Sequence, residues 1–170
     1  TEILRIIDKL EKIGMEKVKK ELELLKLDEN IILRILEFIQ ISGSNEEKLQ
    51  KLENLNIKNE IFDEGFEELK TVSKYIEIFG VPKENYMIDL TIARGLDYYT
   101  GTVYETFLDD YPNIGSICSG GRYDNLAEHY TRQKLPGVGI SIGLSRLFYQ
   151  LNEANLLKTE TGSLTKVVII

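Results

Sequence analysis

Cysteine is nearly absent from this chain. One residue, Cys118, stands among 170, so no disulfide can form within the chain, and a reduced, cytoplasmic setting is the expectation. Histidine is as scarce, with His129 alone. No spacing suggests protein ligands for zinc. Cys118 and His129 lack the third orienting group that a nucleophilic pair uses; a small buried strand residue and a helix-surface residue are the plainer readings. Long apolar runs are missing too, and none approaches the roughly 18 residues of a membrane-spanning helix. The first residues lack the basic, apolar, small-residue order of a signal peptide. Positive charge is in deficit: 21 Lys and Arg face 28 Asp and Glu, a net charge of −7. This excludes the basic footprint of an autonomous nucleic-acid binder, so RNA contact is expected to be local or to depend on other parts. No Walker lysine is present, and Gly137-Val138-Gly139 lacks the further glycine and downstream acid of a dinucleotide fingerprint.

What is present falls into two textures, and an α+β fold is expected. Hydrophobic residues make up 42% and charged residues 29%, a globular composition. Residues 1–82 read as helical. Ile3, Ile6, Ile7, Leu10 and Ile13 share one helix face, and Gly14 ends it. Val18, Leu22 and Leu25 stripe a second helix. Asp28 caps a third, with Ile32, Ile35, Leu36 and Ile39 inward. Ser44 and Glu47 match a capping box for a fourth carrying Leu49, Leu52 and Leu55. A last helix is expected from about Asp63 to Phe79, with Phe66, Leu69, Val72, Ile76 and Phe79 inward, closed by Gly80 and Pro82. Lys17, Lys19, Lys20, Glu67 and Glu68 read as solvated charge.

Near Pro82, β-branched residues, tyrosines and glycines take over. Residues 1–82 hold eleven Lys and two Arg, and residues 83–170 hold four of each. Arginine, with its planar fork of donors, thus gathers where anion recognition would use it. Strands are expected at about 86–93, 102–108, 114–119 and 137–142. A helix is expected from Gly143 to Ala154, with Leu144, Leu147, Phe148 and Leu151 inward. Lys166 to Ile170 has a buried-strand pattern. That abrupt strand, and a helix opening at Thr1, suggest a piece of something longer.

Three stretches carry the chemistry. The first is Arg94-Gly95-Leu96-Asp97-Tyr98-Tyr99-Thr100-Gly101-Thr102-Val103-Tyr104-Glu105. It lies between runs with period-two alternation, which read as two antiparallel strands joined by a broad loop. Gly95 and Gly101 permit sharp turns or close approach, and Arg94 suits a carboxylate or phosphate. The second is Ser119-Gly120-Gly121-Arg122-Tyr123-Asp124, whose paired glycines leave room for a flat ligand or mark an ordinary turn. The third is Gly137-Val138-Gly139-Ile140-Ser141-Ile142-Gly143-Leu144-Ser145-Arg146. Its alternating glycines bare one strand face for something flat or for another backbone, and Arg146 follows in the first turns of a helix.

RGLDYYTGTVYE resembles the histidine-specific signature of histidyl-tRNA synthetases almost letter for letter. SGGRYD is similar to the segment that lines the amino-acid pocket in that family, and the third stretch resembles motif 3 of class II aminoacyl-tRNA synthetases. The family often has an acidic residue before the motif 3 arginine, where this chain has Ser145. The resemblance implies a helical insertion domain at 1–82 and the C-terminal half of a class II antiparallel core with flanking helices at 83–160. Residues 161–170 become a linker and the first strand of an anticodon-binding domain. It implies that Arg94 bridges the histidine carboxylate and the ATP α-phosphate, and that Tyr98, Tyr99, Gly120, Gly121 and Tyr123 form the histidine pocket. Gly139, Gly143 and Arg146 serve ATP, which brings magnesium, with no metal held by the protein alone. The implied partners are L-histidine, ATP and tRNA(His), in a homodimer with no membrane association. Motifs 1 and 2 are absent, so the chain by itself is expected to be inactive. Two other readings stay open: a non-catalytic paralogue such as the regulatory subunit of ATP phosphoribosyltransferase, and a synthetase-like domain that senses tRNA.

Overall fold

In a computed structural model, residues 2–92 and 99–157 are described, without the side chains of Glu11 and His129. Six helices come first: α1 (Glu2–Ile7), α2 (Leu10–Ile13), α3 (Met15–Leu24), α4 (Glu29–Ile39), α5 (Asn45–Asn54) and α6 (Glu60–Ile78). Three strands and a helix follow: β1 (Val103–Thr106), β2 (Cys118–Tyr123), β3 (Gly137–Ile142) and α7 (Leu144–Glu153). The strands form one sheet in the order β1-β2-β3. Two compact units divide the chain, one of Thr1–Tyr104 with Gly121–Gly139, the other of Glu105–Gly120 with Ile140–Ile170. Each strand contributes to both.

In the first unit, a core of Ile6, Ile7, Val18, Leu22, Ile32, Leu36 and Ile39 joins α1, α3 and α4. Val18 and Leu22 are fully buried. These are the periodic positions of the sequence, and apolar area removed from water drives the helices together. The caps match as well. The Asp28 carboxylate accepts from the Asn30 N–H at 2.9 Å. Ser44 and Glu47 complete the capping box, with bonds of 3.2 and 2.8 Å. At the end of α6, Gly80 has φ +80°, its N–H bonds to the Glu77 carbonyl and that of Val81 to the Ile76 carbonyl. This is a Schellman stop.

Several expectations need correction. The first apolar face is split by Asp8 and Lys9 into α1 and α2. The last long helix starts at Glu60, because the Asn59 side chain accepts from the Ile61 and Phe62 N–H groups at 3.0 and 3.1 Å. Phe79, expected inward, is 82% exposed at the cap. No strand forms over residues 86–92. There, Asn45 Nδ2 donates to the Tyr86 carbonyl at 3.1 Å and the Ile88 N–H donates to Asn45 Oδ1 at 2.8 Å. Lys48 Nζ donates to the Ile88 carbonyl at 2.6 Å. Side chains from α5 thus occupy the backbone groups that a neighbouring strand would take.

β1 pairs instead with β2, which lies later than the expected 114–119. In the second unit, the Ile117 N–H donates to the Thr106 carbonyl and the Gly143 N–H to the Ile117 carbonyl, both at 2.9 Å. α7 ends on Asn155 at φ +56°. Leu144 and Phe148, expected inward, are exposed, as are Ile140 and Ile142 of β3. Among the described residues nothing covers those faces.

Candidate functional site

The site is built on β2. Gly121 and Tyr123 are two residues apart, and so face the same side of the strand. On that side Tyr99 and Val103 close over Gly121. A Cβ added there would lie 2.9 Å from Tyr99 Cδ1, 3.0 Å from Val103 Cγ1 and 3.1 Å from the Thr102 carbonyl oxygen. Only glycine leaves that space to the tyrosine. The same relation holds one strand over. A Cβ on Gly137 would meet the Tyr123 ring and hydroxyl at 2.6 to 2.8 Å, and one on Gly139 would meet Tyr123 Cε1 at 3.3 Å. The bare glycine face of β3 therefore takes a flat group from its own neighbouring strand. The Tyr104 hydroxyl donates to the Gly139 carbonyl at 2.5 Å, fixing β3 from β1.

Arg122 lies between Gly121 and Tyr123 and so points to the other side of β2. Its Nε and Nη2 both donate to Asp124 Oδ1 at 3.2 Å, and its Nη1 is 3.5 Å from Glu68 Oε1. The Thr100 hydroxyl donates to Asp124 Oδ2 at 2.8 Å, and the Asp124 N–H donates to the same hydroxyl oxygen at 3.0 Å. The Thr100 N–H reaches the Arg122 carbonyl at 3.0 Å, and the Arg122 N–H reaches the Thr102 carbonyl at 2.9 Å. The Thr100 hydroxyl, and then the Arg122 guanidinium, hold the Asp124 carboxyl below its ordinary range. At neutral pH it is an anion that anchors the 99–102 segment.

The structure thus brings Tyr99, Gly121, Tyr123 and Gly139 together within the first unit. Arg94 and Tyr98 lie outside the described residues. Gly120, Gly143 and Arg146 belong to the second unit. Gly120 is buried in β2, Gly143 caps α7, and Arg146 is exposed in the first turn of that helix. Cys118 is a free thiol at the start of β2, half-buried rather than buried. Among the described residues no group of three or more His, Cys, Asp or Glu could hold a metal ion, and no helix is long and apolar enough to cross a membrane.

Sequence reasoning missed Thr100, Tyr104, Arg122 and Asp124 as parts of the site, although all stand inside the three stretches, and it read Gly101 and Gly137 as places of close approach without assigning them to the site. It also missed Glu68, read as surface decoration. That side chain is 25% exposed and pairs with Arg122, whereas Glu67 remains 67% exposed. No local signal in α6 marks the difference.

The family model for histidyl-tRNA synthetase matches residues 2–147. The chain is 59% identical to a histidine–tRNA ligase of Clostridium tetani over 169 residues, 99% of the chain and 38% of that protein. It is 56% identical to the ligase of Finegoldia magna, covering 98% of the chain and 38% of that protein. The crystal structure of histidyl-tRNA synthetase from Nostoc sp. PCC 7120 matches with a TM-score of 0.87 and 48% identity, over 92% of the chain and 37% of that structure. A Bacillus halodurans structure described as an ATP phosphoribosyltransferase regulatory subunit/histidyl-tRNA synthetase matches at TM-score 0.71 and 22% identity, over 88% of the chain and 37% of that structure. At that identity the likeness shows a shared fold and nothing more. The chain therefore spans about 38% of the length of the curated relatives it matches. Matched over most of its length by the family model and by ligases more than half identical to it, this chain belongs to the histidyl-tRNA synthetase family.

Proposed function

We propose that the chain is a segment of a histidine–tRNA ligase, a homodimer that works in the cytoplasm, and that it contributes the amino-acid pocket and part of the ATP site. The complete enzyme activates L-histidine with ATP to histidyl-adenylate and transfers the histidyl group to tRNA(His). In this reading residues 1–82 are the helical insertion, 83–160 the second half of the catalytic core, and 161–170 a linker and first strand of the anticodon-binding domain.

In the first step an oxygen of the histidine carboxylate attacks the α-phosphorus of ATP, and the bond to the bridging oxygen of pyrophosphate breaks. Two anions must meet, so catalysis consists of positioning and charge neutralisation. Arg94 supplies a guanidinium to both anions. Tyr99 and Tyr123 meet the imidazole, Tyr98 helps to form the pocket, and a phenol hydroxyl suits either ring nitrogen because it both donates and accepts. Gly120 and Gly121 keep the pocket floor low. Gly139, Gly143 and Arg146 serve the nucleotide, and magnesium comes with it as part of the substrate.

The observation that carries this reading is the seating of Tyr99 on Gly121, with Tyr123 on the same side of β2. Without a Cβ at 121, an aromatic wall stands where the signature stretch and the SGGRYD strand meet. The ligase reading is preferred to the regulatory-subunit one because identity reaches 59% and 48% with ligases. The test is histidine-dependent exchange of pyrophosphate into ATP by the complete ligase, with and without Arg94→Ala. A loss of at least about a hundredfold in rate, with unfolding unchanged, is expected of a group that acts on transition-state charge. An Arg94→Ala enzyme that exchanges at the parent rate overturns the assignment.

A further inference from the structure

We propose that Glu68 of α6 is a positioning residue for the amino-acid pocket, acting through Arg122 and Gly101 on the segment that carries Tyr99. Three observations converge. The Glu68 carboxylate lies over Gly101, where an added Cβ would fall 2.7 and 2.9 Å from its two oxygens and 3.0 Å from Arg122 Cδ. With no side chain at Gly101, the carboxylate and the arginine stem can lie directly over the backbone there. The same carboxylate is 3.5 Å from Arg122 Nη1, and Arg122 is held from its other edge by Asp124. The Arg122 backbone in turn binds Thr100 and Thr102 on both sides of Gly101. A chain of contacts thus runs from a helix of the first 82 residues to the backbone beside Tyr99.

An isolated, partly exposed ion pair contributes little to stability. The importance of this one lies in its place. Thr100 is covalently next to Tyr99, and the Tyr99 ring fits Gly121 with no room to spare. A small shift of the 99–102 backbone therefore moves the pocket wall while leaving the core of α1, α3 and α4 untouched. Glu68 meets Arg122 and the backbone at Gly101 rather than the rings of Tyr99 and Tyr123, so its removal is expected to alter ground-state binding of the amino acid and to spare the chemical step.

The inference rests on the ligase reading, and the experiment separates the two. Glu68→Gln, which keeps shape and removes charge, is placed in the complete ligase, and pyrophosphate exchange is measured against histidine and ATP separately. The expected result is a rise of about fivefold in KM for histidine, the size of a modest ion-pair contribution, with kcat and KM for ATP within about twofold. Arg122→Met alone and with Glu68→Gln completes a double-mutant cycle, in which the two effects are expected not to multiply. Hydrogen exchange of the peptide containing residues 99–102 is expected to quicken in Glu68→Gln. A histidine KM changed less than twofold, an equal rise for ATP, or multiplicative effects overturns the proposal. If the parent enzyme shows no histidine-dependent exchange, the ligase reading fails. The peptide's hydrogen exchange then decides Glu68 by itself, and no change in it overturns the positioning role.

Discussion

At Gly121 a single hydrogen atom decides whether Tyr99 can lie against the strand. Replacing it with methyl puts carbon within 2.9 Å of the ring, 3.0 Å of Val103 Cγ1 and 3.1 Å of a backbone carbonyl. Val103 belongs to β1 and the Thr102 carbonyl accepts from the Arg122 N–H, so relaxation is limited. Gly121→Ala is expected to destabilise by about 1–3 kcal/mol, the usual cost of overpacking, and urea unfolding measures it. A second residue-scale expectation concerns Glu46. Hydrogen bonding from Lys83, with smaller help from its own backbone N–H and from Ser44, brings its pKa from 4.5 down to about 2. A folded-state pKa below the unfolded value means stabilisation present above about pH 4.5 and lost as the pH falls toward 2. Carboxyl chemical shifts followed through an acid titration should place the Glu46 midpoint near 2. Lys83→Met should return it most of the way to the ordinary value. The glycines of SGGRYD and of the alternating strand were legible as places of close approach. What approaches them was not, because Tyr99 and Tyr123 come from other points in the chain.

At the scale of elements, helices were the most readable. Val18, Leu22, Ile32, Leu36 and Ile39 follow helical periodicity and are all buried, and Asp28, Ser44 and Gly80 mark ends where orphan backbone groups need partners. The run at 86–93 shows where periodicity fails. Alternation reports which faces could be buried, not whether a neighbouring strand exists. Here Asn45 and Lys48 take the hydrogen-bonding groups of Tyr86 and Ile88 over residues 86–92. Asn45→Ala removes both amide bonds and leaves the N–H of Ile88, a residue 6% exposed, without its acceptor. A buried donor left unmade costs about 1–3 kcal/mol, and a lower urea midpoint with unchanged slope is the expected reading. Tolerance of this substitution within a few tenths of a kcal/mol would show that water or another group replaces the amide.

At the scale of the whole molecule, the buried apolar cluster of the described residues lies in the helices of the first unit. Leu22 has no exposed surface and Val18 none beside it on α3. Leu22→Ala is expected to cost about 2–5 kcal/mol, combining lost transfer energy with a cavity, measurable by chemical unfolding. The sequence alone determined the helical half, its caps at Asp28, Ser44 and Gly80, the α+β class and, through its resemblance to known signatures, the family. The helices, caps and class depend on residues close together in the chain, where spacing and capping chemistry act directly, and the family is carried by contiguous stretches that resemble known signatures. Only tertiary structure decided which strand β1 joins, which ring lies on which glycine, and that Glu68 rather than Glu67 turns toward Arg122. Those outcomes depend on groups far apart in sequence competing for the same space and the same hydrogen bonds, and no local pattern records who wins.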